Sequence, residues 1–147
     1  VTYIARQSWL SPNPAATLQQ ISAFEAKVGW QLDEDLRAFY LHCDGAALFD
    51  APPDANYRIL PLAQIRRARV AIFGRDEDEY GAPSLFAVVD MQDTNFVVLD
   101  VAGTPGTYPL FDAFHETFPS VERIASSFEE FLTRALSSGG RSYWLSE

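Results

Sequence analysis

Leu85-Phe86-Ala87-Val88-Val89-Asp90-Met91, then Gln92-Asp93-Thr94-Asn95, then Phe96-Val97-Val98-Leu99-Asp100-Val101 is the stretch that decides the fold. Two apolar, β-branched runs of strand length are joined by a short polar loop. That pattern predicts an antiparallel hairpin over 85–91 and 96–101. The apolar character is nearly continuous and does not alternate, so both faces of these strands are expected to be covered. Downstream, Gly103-Thr104-Pro105-Gly106 predicts a turn and 108–111 a third strand, with Pro109 at an edge or a strand end.

Upstream the period changes. Leu18, Ile21, Phe24 and Val28 recur at helical spacing, and Thr17 with Gln20 fits a capping box, so a helix is predicted over 17–28 with Gly29 as its stop. A second helix, 33–43, has Asp33 as N-cap and Glu34 and Asp35 at the positive end of its dipole. Leu36, Phe39, Tyr40 and Cys43 form its apolar face, and Gly45 reads as its stop. The turn Ala51-Pro52-Pro53-Asp54 precedes a short strand at 57–60. Segment 62–73 is ambiguous, with Ile65, Ala68 and Ile72 on one helical face and Arg66, Arg67 and Arg69 around it. A closing helix, 127–137, shows the stripe Phe128, Phe131, Leu132, Ala135 and Leu136, serine caps at Ser126 or Ser127, and Gly139 and Gly140 as stops. Tyr3, Ile4, Trp9 and Leu10 read as an apolar lead-in, and Tyr143-Trp144-Leu145 as an apolar tail. The predicted class is α+β: one domain over 1–147, an antiparallel meander flanked by an N-terminal helical hairpin and a C-terminal helix.

This order, and the residues at its junctions, resemble the SUKH superfamily, the group that includes the fungal cell-wall assembly regulator and many bacterial immunity proteins. The resemblance is carried by Ile21, Phe24-Glu25, Gly29, Leu32, Leu36-Arg37, Phe39-Tyr40 and Asp44-Gly45. It continues through Ile59-Leu60-Pro61-Leu62 with Ile65, and ends on Ile124-Ala125, Ser127-Phe128, Phe131 and Leu132. Asp33 stands where the family usually has Pro, and Asp44 where Asn is common. The matching positions are core and turn residues. The resemblance therefore implies the fold, and a function of binding other proteins, with no partner-contacting residue to carry over.

The charge pattern adds a direction. The net charge is −9, which disfavours nucleic acid and anionic membranes as partners. Residues 76–122 hold ten acids and no Lys or Arg, whereas the rest of the chain is close to balanced. With the resemblance, this block suggests an immunity protein that occupies the basic cleft of a cognate toxin, such as a nuclease. The alternative is a non-catalytic regulatory adaptor that binds cellular proteins. The expected contact residues are Asp76, Glu77, Asp78, Glu79 and the aromatic Tyr80, with Asp93 at the hairpin tip.

Catalytic motifs are lacking. Lys27 is the sole lysine and no phosphate-binding loop or nucleophile elbow occurs. His42 and Cys43 are neighbours on one helix and diverge by about 100°. Asp112, His115 and Glu116 could converge on a metal or a proton; a capped polar loop is the plainer reading. Arg66, Arg67, Arg69 and Arg75 could grip phosphate; pairing with the acids at 76–79, or a solvated face, is the plainer reading there. No enzyme activity, metal or cofactor is expected. A single cysteine, no leader-like N-terminal pattern and no apolar run of about 20 residues suggest a cytoplasmic protein, monomeric or weakly dimeric.

Overall fold

In a computed structural model, residues 11–51, 54–103, 106–138 and 143–145 are described. The lead-in Tyr3 to Leu10, Pro52-Pro53, Thr104-Pro105 and the expected stops Gly139 and Gly140 lie outside them. The described strands form one antiparallel sheet. They are β1 (Ser11–Pro12), β2 (Ala46–Ala51), β3 (Asp54–Ile59), β4 (Arg66–Arg67), β5 (Leu85–Asp90), β6 (Phe96–Asp100), β7 (Leu110–Ala113) and β8 (Glu122–Ala125). Their order is β1-β2-β3-β5-β6-β7-β8, with β4 beside β5 on the edge that β3 also uses. The predicted hairpin is β5–β6, in register from Leu85↔Asp100 to Asp90↔Phe96 with a bulge between Ala87 and Val89. Residues 85–89 and 96–99 are buried without alternation, as expected for strands covered on both faces.

Four helices accompany the sheet: α1 (Leu18–Val28), α2 (Glu34–His42), α3 (Ala68–Phe73) and α4 (Phe128–Ser137). The caps read from sequence are formed. Thr17 Oγ1 accepts the Gln20 N–H at 3.1 Å while Gln20 Oε1 accepts the Thr17 N–H at 2.8 Å. Ser127 Oγ accepts the Glu130 N–H, but the Glu130 carboxylate reaches one residue further back, to the Ser126 N–H at 2.7 Å. Asp33 Oδ1 accepts the Leu36 N–H and its Oδ2 accepts the Tyr108 N–H, both at 2.9 Å. Burial pushes the Asp33 carboxyl pKa up, and these two bonds oppose that.

The helical hairpin is tied to the sheet by aromatic rings. Trp30, between α1 and α2, meets Phe24, Phe86 and Tyr108 edge-on with centroids 5.1–5.6 Å apart. On α4, Phe128 packs on Phe39 of α2, and Phe131 stacks on Tyr57 of β3. The whole predicted stripe of α4 is buried.

Several boundaries differ from expectation. Segment 62–73 divides into a 3-10 turn (Leu62–Gln64), β4 and α3, because its arginines pair with β5 before the chain turns. Strands β2 and β8 carry little of the β-branched run that announced β5 and β6. The third strand starts two residues later than Tyr108, after Pro109 has given its carbonyl to the Asp100 N–H. Gly45 is not the stop of α2, since Cys43 is already extended at φ −156°. A Cβ at Gly45, where φ is +90°, would stand 2.7 Å from the Ile59 carbonyl and 2.8 Å from Pro61 N. Its role is close approach of two backbones at the start of β2.

Candidate partner-binding surface

The expected contact residues begin just after α3. Gly74 ends that helix and returns the chain past Arg69. Arg69 is buried, with only 4% of it exposed, and its guanidinium is covered by the partners it gathers. Its Nε donates to Asp76 Oδ1 at 2.9 Å, and one Nη donates to Asp78 Oδ1 at 2.7 Å and to the Gly81 carbonyl at 3.0 Å. Arg67 donates to the other oxygen of Asp76 at 3.1 Å. Arg75 pairs with Glu77 at 3.1 Å and lies over the Tyr80 ring, 5.0 Å from its centroid. Hydrogen bonding to Arg69, with Arg67 nearby, holds the Asp76 carboxyl below the usual carboxylate range. Of the four acids, Glu79 alone projects without a partner among the described residues.

Asp93 stands elsewhere. Strand β5 separates the two sites, a rise of about 20 Å at some 3.3 Å per residue. The tip is a tight loop in which Gln92, Asp93 and Thr94 all have positive φ, at 75°, 55° and 63°. Asn95 closes it, accepting both the His115 N–H at 2.9 Å and the His115 Nδ1–H at 2.8 Å on its side-chain oxygen. His115 Nε2 faces Glu116 at 3.7 Å.

Two sets of ring contacts lie between these acids, joined through the backbone of residues 114–118. Tyr80 packs on Phe73 at 5.6 Å, and Phe73 packs on Phe118 at 5.8 Å. Phe118 is buried and is tied to Phe114 by a turn, in which the Phe114 carbonyl accepts the Phe118 N–H at 2.9 Å. Phe114 packs on His115 at 4.9 Å, and His115 reaches the hairpin tip through Asn95. Phe73 and Phe114 are exposed, at 41% and 37%. The sequence reading named neither as a contact residue.

The catalytic alternative does not assemble. Asp112 lies opposite Glu122 in the β7–β8 register and is not joined to His115. Burial raises the Asp112 pKa, and the Glu122 charge adds to this. The Trp144 indole, which makes no formed hydrogen bond, faces Asp112 closely enough to oppose part of the rise. Among the described residues no three His, Cys, Asp or Glu side chains gather as metal ligands. Two shallow grooves, about 260 and 240 Å³, are lined by Lys27 and Asp44 in one and by Arg58 in the other. Asp44 is already committed, accepting the Leu62 N–H at 2.8 Å. Cys43 is buried on the core face and its thiol is pushed up to about 11, chiefly by burial, which keeps it protonated.

A family model matches residues 15–134: the SMI1 / KNR4 family (SUKH-1). The chain belongs to that family. The match takes in α1 through most of α4 and therefore all of the charged and aromatic contacts between 67 and 118 just described. No curated protein gives a match to this SUKH-1 chain. No helix among the described residues is long and apolar enough to cross a membrane.

Proposed function

We propose that this SUKH-1 domain is an immunity protein: it binds a cognate bacterial toxin and neutralises it by occupying a basic cleft, such as that of a nuclease. The observation that carries the reading is the block 76–122, with ten acids and no Lys or Arg, on a domain whose family binds proteins. Carboxylates offered at a surface attract a basic partner at long range and speed encounter. The contact includes Asp76, Glu77, Asp78, Glu79, Tyr80 and Asp93. It requires no catalysis, cofactor, nucleic acid or membrane. The domain acts in the cytoplasm as a monomer or weak dimer.

A regulatory adaptor is the second reading, favoured by the resemblance to the fungal cell-wall assembly regulator. The test is co-expression with the product of the adjacent gene. Relief of growth arrest, with a complex whose association rate falls steeply between low and high salt, supports immunity. A non-toxic neighbour that still binds points to the adaptor.

A further inference from the structure

We infer that the exposed rings of Phe73 and Phe114, backed by Tyr80 and the buried Phe118 and accompanied by Glu79, Asp93 and Glu116, dock a cationic amphipathic segment of a partner protein, one that sets arginine or lysine among apolar side chains. This deepens the protein-binding reading and rests on it.

Three observations carry the assignment. First, charge is not equally available along the acidic block. Asp76, Glu77 and Asp78 are paired with Arg69, Arg67 and Arg75, so part of the charge they offer a visitor is already answered. Glu79 and Asp93 have no partner among the described residues, and Glu116 has only His115 at 3.7 Å. Second, these open carboxylates accompany aromatic surface. Four large hydrophobics are exposed among the described residues, and two of them are Phe73 and Phe114. Aromatic side chains carry a large share of interface energy when water is excluded around them. Third, the rings are held in advance. Phe73 sits between Tyr80 and Phe118, and Phe114 lies against His115, so little rotamer freedom remains to be lost on binding.

Charge selects the occupant. A second copy of this chain would bring Glu79, Asp93 and Glu116 against carboxylates of the same sign, and nucleic acid would be repelled likewise. A segment of cations alone would satisfy the carboxylates and leave the rings wet. The matching chemistry is mixed, with cationic heads for Glu79, Asp93 and Glu116 and apolar groups for Phe73 and Phe114.

The experiment titrates isotope-labelled full chain with three synthetic peptides of equal length: alternating Arg-Leu, alternating Arg-Ser and alternating Glu-Leu. Arg-Leu is expected to shift amide resonances of Gly74, Tyr80, Asn95, Phe114 and His115, leaving those of Leu18 and Leu41 unmoved. It should bind at least about ten-fold more tightly than Arg-Ser. Equal affinity for Arg-Leu and Arg-Ser, or shifts centred on Leu18 and Leu41, would overturn the assignment, as would concentration-dependent dimerisation through these same residues. A second arm uses the adjacent-gene toxin. Phe73→Ser with Phe114→Ser, checked for an unchanged thermal midpoint, should lose protection at least ten-fold, whereas Leu18→Ser with Leu41→Ser should retain it. Protection intact in the phenylalanine variant overturns the docking site and leaves immunity standing. Absence of protection by the unmodified chain removes immunity, and the peptide titration still decides the docking site.

Discussion

Segment 76–79 and the hairpin tip 92–95 carry the same sign of charge and are held in opposite ways. The first is tied down by side chains: buried Arg69 gathers Asp76, Asp78 and the Gly81 carbonyl. The second is held by backbone, with three consecutive non-glycine residues in the left-handed region and Asp93 left projecting. One acidic stretch is therefore mostly structural, and the other stores strain while its charge stays open. Counting acids along a sequence gives total charge; it does not give the charge a partner can feel.

The largest effect should come from removing the organiser of the first stretch. Arg69→Met removes the buried guanidinium that joins Asp76, Asp78 and the Gly81 carbonyl, leaving Arg67 alone on Asp76, and is expected to lower the urea midpoint more than Asp76→Asn or Asp93→Asn. A midpoint within error of the unmodified protein would mean that the 76–81 segment is not held by Arg69, and the contrast between the two stretches would fail. The matching pH experiment has a defined sign. The folded-state pKa of Asp76 is depressed, so its contribution is present above the ordinary value of 3.8 and is lost as pH falls through the lower folded value. Asp76→Asn should abolish that part of the acid limb, whereas Asp93→Asn should leave it unchanged.

Next in size is the strain at the tip. Thr94 is β-branched and sits at φ 63°. Thr94→Gly is expected to stabilise the fold by about 1 kcal/mol by relieving the left-handed conformation. A loss of stability would show the tip to be relaxed as it stands.

Smaller still is the carboxylate pair on β7 and β8. The raised pKa of Asp112 means its charged form is disfavoured in the fold, so stability falls as pH rises from the unfolded through the folded value. Asp112→Asn should add about 0.5 kcal/mol at neutral pH, by removing a like charge across the strand pair. Smallest of all, Asp93→Asn should change stability by less than about 0.5 kcal/mol while slowing association with a basic partner at low salt. That combination separates a displayed charge from a structural one.

Much of the frame was readable in the residues. The caps at Thr17, Asp33 and Ser127 and the apolar runs of β5 and β6 are local signals, and the structure has them where the sequence put them. β2 and β8 were not legible. Ala46-Ala47-Leu48 lacks β-branching, and Glu122-Arg123 opens a strand with two exposed charges, so only their neighbours make them strands. The site divides the same way. The excess of acids is visible in composition, and the nearness of Arg66, Arg67, Arg69 and Arg75 to the acids at 76–79 suggests that they pair; which arginine takes which acid depends on the chain reversing at Gly74. The joining of Asn95 to His115 depends on two loops meeting at one end of the sheet.

Asp33, the residue that departs from the family's usual proline, has a consequence for how the chain reaches its fold. One oxygen caps α2 locally; the other waits for the Tyr108 amide, 75 residues later in sequence. Until that amide arrives, a carboxylate destined for burial faces water, and the helical hairpin lacks its seat on the sheet. A nascent chain that has emerged only as far as β6 is thus expected to hold α1 and α2 as fraying helices, exchanging their amide hydrogens quickly. Protection at Leu36 and Tyr108 should then appear together, in a single late step that docks the first third of the protein onto the last.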